Sequence, residues 1–329
     1  MKEPDALNFI EGNGDWLKFN QAVSDNTGIK YGSLWKENAA QNRKRVRHEG
    51  WAAEKLQDKH DGQTAVMLGA SPAIKSQLGR LKELQKDKDF VLIGITSGLR
   101  NMLNNGIRPR YVMIADADPA MSRFWDGMDM KQTRNITLIA NICTHPSMLA
   151  KWQGPIKFLA IYTAIDELDR QLRKDFGNIN GCGAMFPALS SQYNIGAAVA
   201  RLVLGCPVTI FTGLELGFPT KESPYYADRK DVKDKWDRFP HPDIFGGVYY
   251  TNYMLFALKL ALEDFLGKIS KAGWYFNATQ AGIFGVSKRY RNTPWIWQFD
   301  LETAITQASA IMKTGQPVYA PKKYGGYLP

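Results

Sequence analysis

Sulfur and imidazole are scarce in this chain. Three cysteines (Cys143, Cys182 and Cys206) and four histidines are scattered over 329 residues. An odd number of thiols without ligand spacing argues against a disulfide framework or a cysteine-bound zinc, and predicts reduced cysteines in or near the core. The scattered histidines argue against a histidine-bound zinc. No apolar run approaches the roughly 18 residues that span a bilayer. The first residues, MKEPDALNFIEGNGDW, lack the basic-then-apolar pattern of a signal peptide. There is no Gly-Lys-Ser/Thr phosphate loop and no Gly-x-Gly-x-x-Gly turn. Internal repeats and low-complexity tracts are also missing. Together these absences predict a soluble cytoplasmic protein with no membrane span.

What is present suits a packed core. Hydrophobic residues make up 44% of the chain and charged residues 22%, which excludes general disorder. Lysine and arginine outnumber aspartate and glutamate by 42 to 32, a net charge of +10. Such a field favours anionic partners, whether nucleotides, phosphosugars, nucleic acid or acidic membrane, without choosing among them. The sharpest basic run, Arg43-Lys44-Arg45-Val46-Arg47, reads as a solvated helix face, with phosphate or nucleic-acid contact as the alternative.

Residues 1–62 read as polar helix anchored by Trp16, Trp35 and Trp51. From residue 63 short apolar runs alternate with amphipathic stretches. Strands are expected at 65–68, 90–95, 111–115, 136–140, 157–162, 208–212 and 274–277. Apolar residues at helical spacing (Ile74, Leu78, Leu81, Leu84; Ile165, Leu168, Leu172, Phe176; Ile195, Val199, Leu202, Val203) fill the gaps. This alternation predicts an α/β fold, a mostly parallel sheet with helices on both faces. The stretch 217–250 breaks the rhythm with four prolines, six basic and six acidic residues. It is too long for an ordinary connection and is expected to form a lid or acceptor-binding loop. From about residue 315 an extended tail is expected.

Ligands in such sheets sit beyond the carboxyl ends of the strands. There the sequence places small polar residues repeatedly. The first strand ends in Gly69-Ala70-Ser71-Pro72: a glycine for close backbone approach, a hydroxyl and a helix start, suited to a phosphate or to plain helix capping. The second ends in Thr96-Ser97-Gly98. The third, YVMIADADPA, stops at Asp116 and Asp118. An Asp-x-Asp pair of hard oxygens suits Mg²⁺ or Mn²⁺ against a diphosphate. In the competing account Asp118 caps a helix at Pro119 and Asp116 pairs with Arg108 or Arg110. Later come Tyr193-Asn194-Ile195-Gly196, then Thr212-Gly213-Leu214-Glu215 with a third carboxylate, and Asn277-Ala278-Thr279.

Taken in order, Gly69-Ala70-Ser71-Pro72, "NNGIRPRYVMIADADP", "NIGAAVARLVLGCPVTIFTGLELGF" and "NATQAGIFG" resemble the family that joins MptE-like 6-hydroxymethylpterin diphosphokinases with Maf motility-accessory factors. The likeness covers about residues 30–290 and implies a Rossmann-like core related to sialyltransferase-type folds. It also implies a nucleotide donor. MptE-like members transfer diphosphate from ATP to a hydroxymethyl group with magnesium. Maf-like members transfer nonulosonic acids from CMP-sugars to flagellin Ser/Thr. By that resemblance Gly69 and Ser71 meet the nucleotide phosphates and Asp116 is the family acid; Ala70, Thr96 and Ser97 are expected beside them from their place at the strand ends. The resemblance likewise has Asn194, Gly196 and Glu215 line the pocket and Asn277 and Thr279 close it, with Gly213 expected beside them from its place at a strand end. This chain departs from the family in Ala70 and Pro72 around the serine, in Ala197, and in Leu214-Glu215. A compact member, without the large flanking domains of Maf proteins, is expected.

Three functions follow as expectations. The first is glycosyl transfer from a CMP-sugar-type donor to a protein, small-molecule or DNA acceptor. Arg123 or a cation at Asp116 and Asp118 would steady the leaving phosphate, and His241, Asp243, Glu215 or His145 would act as base. The second is diphosphate transfer from ATP. The third is nucleic-acid or non-catalytic binding. The expected organisation is a helical N-terminal extension (1–62), a Rossmann-like transferase domain (63–290) with the 217–250 insertion, and a C-terminal helix and tail (291–329).

Overall fold

Apolar runs with no polar alternation become strands covered on both faces. Every residue of β1 (Thr64–Leu68), β2 (Phe90–Ile95), β3 (Tyr111–Ile114) and β6 (Val208–Thr212) is buried in the computed structural model. β4 (Thr137–Asn141), β5 (Ile156–Leu159), β9 (Trp274–Asn277) and β10 (Ile296–Gln298) complete one sheet, while β7 (Phe239–Pro242) and β8 (Val248–Thr251) form a separate hairpin. The structure describes residues 16–161, 165–176, 191–224, 226–227, 237–286 and 293–318. The expected tail beyond residue 318, Cys182 and much of the charged part of the insertion lie outside them.

The large sheet is parallel throughout, in the order β10-β9-β6-β1-β2-β3-β4-β5. The chain steps outward from β1 to β5, then returns to lay β6 on the other side of β1. Between β1 and β6 the direction of winding reverses, and the loops leaving these two strands must diverge. The helices are α1 (Trp16–Glu49), α2 (Ala52–Leu56), α3 (Leu78–Leu84), α4 (Thr96–Asn104), α5 (Pro146–Lys151), α6 (Asp166–Phe176), α7 (Gln192–Ala198), α8 (Tyr253–Lys268) and α9 (Leu301–Thr314). Alternate strand residues serve opposite layers. Met67, Met113 and Ile139 pack against Ile195, Val199 and Leu262. On the other face, Val66 and Ile210 meet Leu81 and Ala304, and Val112 and Leu138 meet Leu99, Ala39 and Val46.

Several boundaries differ from expectation for local reasons. The segment after β1 opens as a 3₁₀ helix, Pro72–Gln77, before turning α-helical. The helix that begins at Gln192, ahead of β6, widens into a π turn at Val199–Val203. The sheet also continues past residue 290, because β10 pairs with β9. Three residues of IWQ are too short for a periodicity to reveal them. The basic run 43–47 lies on α1, with Val46 turned into the core and Lys44 and Arg47 exposed. Cys143 and Cys206 are buried free thiols, and burial pushes each up to about 12, so both stay protonated.

Two buried asparagines tie α1 to the functional edge of the sheet. Asn38 donates from Nδ2 to the carbonyls of Ala117 and Cys143, each at 3.0 Å. One turn later Asn42 donates to those of Ile142 and Thr144, each at 2.8 Å. The N-terminal helix thus holds the loops that follow β3 and β4. Asn42→Ala orphans two buried carbonyls and is expected to cost about 1–3 kcal/mol, measured as a lower urea midpoint at unchanged m-value.

Candidate functional site

At the reversal point the loops after β1 and β6 touch. Gly69 N–H donates to Thr212 O (2.9 Å) and Ser71 N–H to Gly213 O (3.2 Å). Tyr193, at the start of α7, closes the gap: its hydroxyl donates to Gly213 O and accepts from Ala70 N–H, both at 3.1 Å. A Cβ on Gly69 would lie 2.0 Å from Gly213 O and 2.3 Å from the Tyr193 hydroxyl. Gly213 itself has φ +60°, a left-handed conformation that favours glycine. The room that Gly69 was expected to leave for a phosphate is therefore filled by protein. Ala70 is committed as well, its carbonyl accepting from Ala227 N–H at 2.8 Å.

Other expected site residues also spend their polar groups on protein. Thr96 is buried, with its N–H on Gln192 Oε1 (2.8 Å) and its hydroxyl on Met113 O (2.8 Å). Asn194 is buried, and its backbone and side chain both meet the Ser191 hydroxyl that caps α7. Gly196 faces the sheet, where a Cβ would stand 2.2 Å from Met67 Cε. Asn277 bonds Phe284 O, Gln298 and Thr279 N–H, while Thr279 accepts from Leu214 N–H at 3.0 Å. These residues build the walls of the site rather than its open surface.

Glu215 is 2% exposed. Its Oε1 accepts from Ala73 N–H at 2.6 Å and its Oε2 from the Tyr249 hydroxyl. Burial, followed by the nearby Glu215 charge, drives the Tyr249 hydroxyl far above its usual range, so it remains a donor. The carboxylate is a brace between the first loop and the hairpin. The expectation of Glu215 as a pocket residue and catalytic base is not matched by this placement, since both oxygens already accept protein donors. His241 faces Tyr249 across the hairpin, is 2% exposed, and donates from Nδ1 to Pro242 O at 2.7 Å. Leu216 and Gln280, non-glycine residues at φ +51° and +59°, flank this brace, the kind of local strain that clusters at functional sites.

Three groups at neighbouring strand ends remain unspent. Ser71, for which phosphate contact and capping of the helix at Pro72 were the two expectations, is only 8% exposed. It makes no cap hydrogen bond, and its buried hydroxyl has no partner. Ser97, half-buried in the first turn of α4, makes no side-chain hydrogen bond to the described residues. Asp116 accepts at Oδ2 from Gln192 Nε2 (2.8 Å) and keeps Oδ1. With strands about 4.8 Å apart, the three groups span on the order of 10 Å, the length of a nucleotide's phosphate end. Burial above all, with some help from Asp118, raises Asp116 to about 6, against the opposing pull of Gln192 and Arg123. His145 stands beside it: its N–H donates to Asp116 O at 3.1 Å, and its Nδ1 accepts from Ser147. Gln192, Tyr193 and Tyr249 carry no sequence signal beyond a polar start to a helix or an aromatic in a loop.

Asp118 does cap the 3₁₀ helix Pro119–Trp125, accepting from Ala120 N–H at 2.9 Å. Arg108 and Arg110 precede β3 and lie at its opposite end from Asp116. Among the described residues no three His, Cys, Asp or Glu side chains converge as a metal cage. Asp116 and Asp118 each retain one oxygen, which fits an ion that takes its remaining ligands from phosphate and water. The insertion crosses this region, with Ala227 on Ala70 and Tyr226 edge-on to Phe124 at 5.8 Å.

Gly69→Ala drives a methyl into Gly213 and is expected to destabilise by about 2–4 kcal/mol. Gly79→Ala, on α3 with open space around the new methyl, is expected to stabilise by about 0.5–1 kcal/mol. Urea unfolding of the two variants side by side checks both signs.

Residues 37–221 match the family model described as "6-hydroxymethylpterin diphosphokinase MptE-like". Among solved structures the chain is similar to the MAf glycosyltransferase from Magnetospirillum magneticum AMB-1, with a TM-score of 0.55 and 15% identity over 82% of this chain. The similar region is 43% of that protein, so the chain spans less than half of it, and at this identity the likeness concerns the fold. No curated protein matches. The family match takes in β1 to β6 and the loops where they reverse, and by it the chain belongs to the MptE-like family.

Proposed function

We propose that the protein is a nucleotide-dependent transferase that binds its donor across the ends of β1, β2 and β3. The observation that carries this reading is the Ser71 hydroxyl, buried and without a partner at the point where the sheet reverses. A buried polar group is normally satisfied, and a donor phosphate would satisfy this one. Ser97 and the N-terminus of α4 add a second anion contact beside it. The acceptor would enter beneath the insertion, which lies against Ala70 on one side and Phe124 on the other.

The favoured reaction is glycosyl transfer from a CMP-type sugar nucleotide. The acceptor oxygen attacks the sugar's anomeric carbon, the bond from that carbon to the phosphate oxygen breaks, and the nucleoside monophosphate leaves with the electron pair. Asp116 takes the acceptor proton. A carboxylate raised to about 6 is well matched to that task near neutral pH. Gln192 holds its Oδ2 and leaves Oδ1 for the proton. Arg123, whose charge reaches Asp116, would offset charge on the departing phosphate, and Mg²⁺ or Mn²⁺ would be held by the open oxygen of Asp118 together with phosphate and water. The family description favours a second reading, diphosphate transfer from ATP to a hydroxymethyl acceptor at the same residues.

The distinguishing assay measures the released nucleotide. CMP from a CMP-sugar supports the first reading, AMP from ATP the second, and neither, with no thermal shift from any nucleotide, refutes both. Under the first reading kcat/KM rises through about pH 6 as Asp116 ionises. Asp116→Asn should lower turnover by roughly 10²–10⁴-fold.

The same residue makes a stability prediction of opposite sign. Folded Asp116 holds its proton more tightly than the unfolded chain does, so its contribution to stability falls as pH rises from about 4 to about 6. Asp116→Asn removes that cost. It is expected to stabilise the ligand-free protein by about 1–3 kcal/mol at pH 7 and by little at pH 4, as read from urea midpoints at the two pH values.

A further inference from the structure

A second concavity lies at the other end of the sheet, where β2, β3 and β4 begin. It has a volume of about 360 Å³ and is lined by Lys86, Lys88, Arg108 and Arg110, with Asp87 as the one acidic lining residue. β2 is six residues long, so this cavity is on the order of 20 Å from the strand ends that carry Ser97 and Asp116.

The charge arrangement is unbalanced. None of the four cations forms an ion pair with a described carboxylate. Asp87 is turned to its own backbone, its Oδ1 accepting from Asp89 N–H at 2.9 Å. Four like charges lining one hollow repel one another, and of the four Arg110 also reaches the Tyr111 hydroxyl. Lys86, Lys88, Arg108 and Arg110 are all exposed at their tips.

The wall behind them is rigid and polar. The His60 Nδ1–H donates to Gln63 Oε1, whose amide in turn donates to Lys88 O. This leaves His60 Nε2 to accept from the Tyr111 hydroxyl at 2.7 Å. Burial, then the charges of Arg110 and Lys59 against the opposing Gln63 bond, lowers the histidine below its usual range, so it adds no further positive charge at neutral pH. Gln85 fixes the other side, accepting from Arg108 N–H at 2.8 Å and donating to Gly106 O at 3.0 Å. The loop that presents both arginines is therefore held in place before any ligand arrives. Phe90, Pro109 and Ile136 form an apolar floor.

We propose that this cavity is a binding site for a small polyanion bearing two or more phosphate groups, separate from the transferase site. Two arginine forks and two lysines suit a compact di- or triphosphate. A nucleic-acid strand fits less well. The hollow is short, and its aromatic ring, Phe90, is buried beneath the rim rather than presented for stacking.

The test is calorimetric titration of inorganic triphosphate into the full chain, its Ser71→Ala/Asp116→Asn variant, and an Arg108→Ser/Arg110→Ser variant. Each variant is checked for a single cooperative melt without ligand, no earlier than that of the full chain, and Lys86→Met/Lys88→Met replaces the arginine pair if that variant melts early. One binding event should survive Ser71→Ala/Asp116→Asn and weaken at least tenfold in the arginine or lysine variant. Acetylation of Lys86 and Lys88, read by mass spectrometry, should slow when triphosphate is present. Binding that is indifferent to the arginine and lysine variants, or lost in Ser71→Ala/Asp116→Asn alone, overturns the proposal. So does binding of single-stranded RNA with none of triphosphate at low salt.

Discussion

The contact between the loops after β1 and β6 sets the geometry of the whole functional edge. Parallel winding that reverses at β1 brings Gly69 and Gly213 face to face. The backbones approach so closely that a side chain on Gly69 cannot be accommodated, and Tyr193 is pinned between them. Once that contact forms, Ser71 is fixed just beyond it with its hydroxyl buried, and Ala73 is brought within reach of Glu215. The hairpin follows through Tyr249, and α7 is placed so that Gln192 spans from Thr96 to Asp116. One steric constraint thereby orders the ends of four strands.

The carboxylates show how environment, rather than residue type, assigns work. Glu215 and Asp116 both end strands and both are acidic. Glu215 is enclosed, its two oxygens occupied by a backbone N–H and a phenol. Asp116 is only partly enclosed, with one oxygen held and the other left open, and burial raises it to about 6. A third acid, Glu263, is paired with Lys259 at 2.8 Å inside α8 and also accepts from Gly285 N–H. That buried pair anchors the loop after β9. Structural braces and reactive groups therefore differ in how many of their lone pairs the fold has consumed.

The N-terminal helix contributes to the same edge from outside. Asn38 and Asn42 hold the carbonyls on either side of the segment that presents Asp116, Asp118 and His145. The likeness to a longer glycosyltransferase is one of fold, at 15% identity, so most side chains differ. The argument for chemistry accordingly rests on the unspent groups of this chain.

Much of the architecture was legible in the order of residues, because burial on both faces demands apolar runs and surface helices demand a 3.6-residue period. The runs at 90–95, 208–212 and 274–277 coincide with strands β2, β6 and β9 to the residue. Strand ends marked by Gly, Ser and Asp were visible for the same reason, since apolar runs stop where the chain meets a polar edge. β10 was hidden, its three residues being too few to show a period. What the sequence could not decide was which of the marked residues remain available. Thr96, Asn194, Asn277 and Thr279 look no different from Ser71 and Ser97 along the chain. The first four meet partners up to 96 residues away, or cap their own turns, and the two serines do not. Hydrogen-bond satisfaction is a property of three-dimensional neighbours, and only the tertiary structure supplies them.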